Sequence, residues 1–66
     1  MKLTVNGEAR TVADGTTLLA FLKGEGIAPD TVVAEWNGGI VPADAFGTTA
    51  LADGGALELL RFVGGG

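Results

Sequence analysis

The chain has 66 residues, 47% of them apolar, with a mean hydropathy of +0.41 and a net charge of −4. That length fits one domain, which buries only about 60% of its unfolded surface and has no room for a deep substrate cavity of its own. Zero cysteine and zero histidine exclude disulfides, thiolate chemistry, a Ser-His or Cys-His nucleophile pair and a soft metal site, while four scattered cations (Lys2, Arg10, Lys23, Arg61) argue against a nucleic-acid surface.

Lys2-Leu3-Thr4-Val5 alternates polar and apolar residues, the period of a half-buried strand. Asn6-Gly7 then predicts a two-residue type I′ turn, because that turn needs φ > 0 at both central residues. Glu8 to Val12 returns as the second strand of a hairpin. Asp14-Gly15-Thr16-Thr17 is a turn with helix-start character, and Thr16 or Asp14 is the expected cap for the first amides. The helix follows over about Leu18 to Lys23, with Leu18, Phe21 and Leu22 at the i, i+3, i+4 spacing of one buried face. A partner-binding face is the alternative for this stripe. Gly24 and Gly26 end the helix, and Ile27 tucks back as a capping hydrophobe.

Pro29-Asp30 marks a loop. Thr31 to Trp36 is β-branched and apolar and predicts a third strand. Asn37-Gly38-Gly39 turns the chain into a short fourth strand, Ile40-Val41, which Pro42 stops. Residues 43–46 form at most one helical turn, and residues 47–51 cross over irregularly. Asp53-Gly54-Gly55 leads into the last strand, expected over Ala56 to Val63. Trp36 reads equally as a core edge or a contact residue. The eight carboxylates lie apart in sequence and are expected on a solvated face.

This order has one economical packing: an α+β fold of the β-grasp (ubiquitin-like) type, with a mixed four- to five-stranded sheet and one helix across one face. The last strand lies parallel to the first, since a long crossover separates them. Residues 1–63 form the domain and residues 64–66 a tail. On the last strand Leu57 and Leu59 face the core, and Glu58, Leu60 and Phe62 face away. Leu60 and Phe62 are therefore candidate partner contacts beside the tail, unless residues 43–51 cover them.

Gly64-Gly65-Gly66 forms a bare arm. Glycine has no Cβ, so such an arm threads a slot that other side chains would block. Its three residues reach roughly 10 Å when extended. The α-carboxylate of Gly66 is the only place in the chain where a covalent reaction is set up. A frayed end is the alternative. Met1-Lys2 leads straight into the first strand without an apolar leader, and no apolar run is long enough to span a bilayer. The expectation is a cytoplasmic monomer with no membrane segment.

Several segments in order resemble one family. They are Val5-Asn6-Gly7, Ala13-Asp14-Gly15-Thr16-Thr17-Leu18, residues 33–42 (VAEWNGGIVP), Leu51-Ala52-Asp53-Gly54-Gly55, and Phe62-Val63-Gly64-Gly65-Gly66. The set is similar to the sulfur carrier protein of thiamine biosynthesis, the ThiS family. The resemblance implies that an E1-like adenylyltransferase uses Mg-ATP to adenylate the Gly66 carboxylate. A sulfur donor such as a cysteine desulfurase system then displaces AMP and leaves a thiocarboxylate, from which thiazole synthase takes sulfur. Gly65 is the second glycine of the family pair and Gly64 an additional one. The chain would bind no cofactor or metal itself and would be a protein co-substrate, not an enzyme. Ala43-Asp44 stands where the family often has a basic residue, and Trp36 is bulkier than usual before Asn-Gly. The alternatives are the small subunit of molybdopterin synthase, which shares the fold and glycine end, and a ubiquitin-like modifier or interaction module.

Overall fold

A computed structural model of the chain describes residues 1–62. Two hairpins and a central strand build the sheet. Strands β1 (Lys2–Val5) and β2 (Glu8–Thr11) pair antiparallel through a turn in which Asn6 has φ 51° and Gly7 φ 82°. Strands β3 (Val32–Trp36) and β4 (Gly39–Val41) pair in the same way, with Asn37 at φ 52° and Gly38 at φ 85°. Both turns carry the Asn-Gly sequence that reaches this left-handed geometry at least cost. Strand β5 (Ala56–Arg61) joins the hairpins, parallel to β1 and antiparallel to β3. The sheet order is β2-β1-β5-β3-β4, so the last strand in sequence is the middle strand in space.

Helix α1 (Leu18–Gly24) covers one face of this sheet. Leu18 and Leu22 are fully buried and Phe21 nearly so, as their spacing predicts. The cap is Thr17 rather than the expected Thr16 or Asp14: the Ala20 N–H donates to Thr17 Oγ1 at 3.1 Å. The other two are engaged elsewhere. The Thr16 hydroxyl donates to the Ala13 carbonyl (2.7 Å), and Asp14 pairs with the N-terminal ammonium (3.3 Å). At the far end the Ile27 N–H donates to the Leu22 carbonyl (2.9 Å) and Gly26 to Lys23 (3.1 Å), with Gly26 at φ 73°. This pair of bonds closes the helix and folds Ile27 back against the core.

The connection from β4 to β5 runs past the start of the helix, where the Leu18 N–H donates to the Thr49 carbonyl (2.9 Å). A 3₁₀ turn at Ala43–Ala45 drops Phe46 into the core, where it is 2% exposed. The Leu19 N–H then donates to the Phe46 carbonyl (3.0 Å) and the Leu51 N–H to the Thr16 carbonyl (3.0 Å). Phe46 and Leu51 thus complete the helix-side core with Leu3, Val32, Ala34 and Leu57. Trp36 is half-buried at the edge of that core, with its indole lying over Gly55. Pro29–Thr31 is a further 3₁₀ turn, so β3 begins at Val32 rather than at Thr31.

Candidate functional site

Strand β5 has neighbours on both sides, and its alternation divides it sharply. Leu57 is fully buried and Leu59 half-buried against the helix side. Glu58 and Leu60 stand on the opposite face, Leu60 with 70% exposure. Residues 43–51 do not cover them, because Phe46 and Leu51 are spent on the helix-side core. Phe62, also exposed, donates its N–H to the Thr31 carbonyl (3.1 Å). Five registered pairs with β3, from Val32–Arg61 to Trp36–Leu57, hold the strand that leads to it. Phe62, the last described residue, is therefore held on the β3 side of β5.

The side chain of Asn6 adds a second anchor. Strand β1 pairs with β5 only as far as Val5–Leu57. Asn6 Oδ1 then accepts the Leu59 N–H at 2.7 Å, taking the place of the next strand residue. The same Asn that makes the first turn thus holds the start of the tail-proximal segment. Asn37 acts similarly at the other end of the strand, where its Oδ1 accepts the Ala56 N–H (2.9 Å).

Leu60 and Phe62, the two contact candidates read from the sequence, are both exposed, Leu60 on the outer face of β5 and Phe62 just past its end. Val63, Gly64, Gly65 and Gly66 lie outside the described residues. Alternation along β5 alone could not show two further contributors to that face. Val33 is directly opposite Leu60, and Ile40 is exposed on β4 opposite Glu35. Glu35 in turn faces Glu58 across the β3–β5 ladder. The Val33–Leu60 and Glu35–Glu58 pairings depend on the β3–β5 register, which no local pattern states.

On the helix side an open cleft of about 420 Å³ lies between the first turn, the helix end and β5, with Arg61 and Leu59 on its wall. Its Arg10 is already engaged, paired with Glu25 at 2.7 Å and resting 5.3 Å from the Phe21 ring centre. Among the described residues no group of acidic side chains is clustered for a metal. No helix among them is long and apolar enough to cross a membrane.

Comparison with known proteins gives a consistent picture. The profile of the ThiS family matches residues 3–66. The crystal structure of the thiamine biosynthesis protein ThiS from Geobacter metallireducens superposes with a TM-score of 0.85 at 39% identity, covering 100% of both chains. The solution structure of a thiamine biosynthesis protein from the same organism gives 0.81 at 39% identity, covering 100% of this chain and 88% of the other. Two curated relatives are longer. The thiazole synthases of Magnetococcus marinus and Paramagnetospirillum magneticum are 38% and 39% identical over 66 residues. The chain covers 20% of each, a fifth of their length. A sheet with β5 at its centre, a single capped helix and a profile match reaching the final glycine together place this chain in the ThiS family.

Proposed function

We propose that this chain is the sulfur carrier for thiazole formation in thiamine biosynthesis, and that its working group is the Gly66 carboxylate. The observation that carries the reading is the full-length family match, which runs through Gly66 itself. A carboxylate is a poor acyl donor because oxide is a poor leaving group. Attack of its oxygen on the α-phosphorus of Mg-ATP, with loss of pyrophosphate, gives a mixed anhydride whose leaving group is AMP. The terminal sulfur of a donor persulfide, such as a cysteine desulfurase system carries, then attacks the acyl carbon, and AMP departs to leave an acyl disulfide. A thiol attacks the donor's sulfur in that bond, forms a disulfide with it, and releases the thiocarboxylate for thiazole synthase.

The chain contributes no acid, base or metal to these steps. It is the co-substrate of an E1-like adenylyltransferase, which binds the Mg-ATP. Gly64 and Gly65 let the donors of that enzyme approach the anhydride closely. Leu60 and Phe62 form the grip at the root of the arm. A chain charged with Mg-ATP works where ATP is made available, which assigns it to the cytoplasm, as a monomer that docks transiently. That curated relatives of five times its length are thiazole synthases favours a thiazole acceptor over the pterin acceptor of molybdopterin synthase.

The test is pyrophosphate exchange with the cognate adenylyltransferase, followed by sulfur transfer read as replacement of one oxygen by sulfur in the intact mass. Deleting Gly66, or adding one residue after it, should abolish both. Undiminished exchange in either variant sinks the reading. Transfer of the sulfur to a pterin partner but not to thiazole synthase would move the chain to the molybdopterin branch. Lysine conjugates under the same conditions would mark a protein modifier.

A further inference from the structure

The single helix leaves the other face of β3, β4 and β5 open, and that face has an unusual centre. Its apolar members are Val33, Ile40 and Leu60, with Ile40 at 71% exposure. Between them stand Glu35 and Glu58, directly opposite each other in the ladder. Opposed residues on one face have Cβ atoms roughly 5 Å apart, and like charges there oppose folding.

No cation of the chain relieves this pair. Arg10 is paired with Glu25. Arg61 is opposite Val32, which is buried on the helix side. Lys23 is on α1. Lys2 does lie on β1, but the β1–β5 register sets Thr4 beside Ala56. Lys2 is therefore level with Gly54, four residues or about 13 Å along the strand from Glu58. The two ion pairs among the described residues include neither Glu35 nor Glu58.

The charges decide what can cover the apolar residues. A second copy docked face to face would bring four carboxylates together, on chains that each carry −4. An anionic surface is repelled for the same reason. The complementary surface is apolar and carries one basic side chain, whose desolvation is offset by two carboxylates at once. We infer that this face docks a partner protein that sets one Arg or Lys between Glu35 and Glu58, with apolar residues resting on Val33, Ile40 and Leu60. The carboxylate pair then selects the partner, at some cost to the stability of the free chain.

The inference rests on the carrier reading for its probes, the cognate thiazole synthase and the cognate adenylyltransferase. Dissociation constants are measured for the full chain and the Glu35→Gln/Glu58→Gln double variant, at about 50 mM and about 500 mM salt. With at least one probe the double variant should bind about tenfold more weakly at low salt, and the difference should shrink at high salt. Leu60→Ala should weaken the same complex by a factor that salt leaves unchanged. Urea unfolding of each variant shows that the fold persists. Binding of the double variant to both probes as tightly as the parent overturns the inference, as does sedimentation of the parent as a dimer that Leu60→Ala dissociates. Pyrophosphate exchange in the same samples separates the two readings. Exchange by the parent, with binding indifferent to the double variant, removes this inference and leaves the carrier. Absence of both exchange and binding removes both.

Discussion

The two faces of β5 differ by one residue of offset and by almost everything else. Leu57 is fully buried among Leu3, Val32 and Leu22, while Leu60, three residues on and across the pleat, is 70% exposed. Both are leucines on the same central strand, so neither composition nor local propensity distinguishes them. The difference comes from what lies above: one helix and a connection that sends Phe46 and Leu51 to the same side. A domain of 66 residues has enough apolar chain to close one face of its sheet. The face left open carries Leu60, two residues before Phe62, the last of the described residues.

The largest expected effect separates these faces in one comparison. Leu57→Ala should cost about 2–5 kcal/mol, the usual loss for a buried leucine. Domains of this size are stable by about 3–10 kcal/mol, so that change removes a large part of the total. Leu60→Ala should stay within about 0.5 kcal/mol of the parent. Urea midpoints at constant slope measure both. Similar losses at the two positions would break the distinction and mean that the outer face is covered in the free chain.

Next in size is the contact between the inner core and its edge. Gly55 is buried, and a Cβ built on it runs into the Trp36 indole. Gly55→Ala should therefore destabilise by about 1–3 kcal/mol through overpacking. Trp36→Ala in the same chain frees the space, so the double variant should recover part of that loss. The thermal midpoints of the four chains in this cycle measure the coupling. An additive cycle would show that the glycine is required for another reason.

Much of this arrangement is legible before folding. Two Asn-Gly pairs state two hairpins, the Leu18, Phe21 and Leu22 spacing states the covered face, and alternation along 57–62 states which residues point away. Local chemistry governs each of these. The helix cap moved by one residue because Ala13 and the N-terminal ammonium compete for the neighbouring side chains. Phe46 was not recognisable as core, since it sits after a 3₁₀ turn with no periodicity around it. The members of the candidate site fared unequally for the same reason. Leu60 and Phe62 follow from alternation and Ile40 from the β3–β4 hairpin, but the Val33–Leu60 and Glu35–Glu58 pairs follow from register between strands more than twenty residues apart in sequence.

The smallest expected effect bears on the least legible feature. Removing one charge from an opposed pair relieves the repulsion entirely, so Glu58→Gln should stabilise the chain by about a few tenths of a kcal/mol. Glu35→Gln should do the same. The double variant should then gain little beyond either single one, because a neutral partner has no repulsion left to remove. The signature is this failure to add, together with a gain that fades as salt screens exposed charges. Urea midpoints at low and high ionic strength would show it. Loss of stability in either single variant would mean that the carboxylate is held by a favourable contact within the chain, and the outer face would then have no unmet charge to offer a partner.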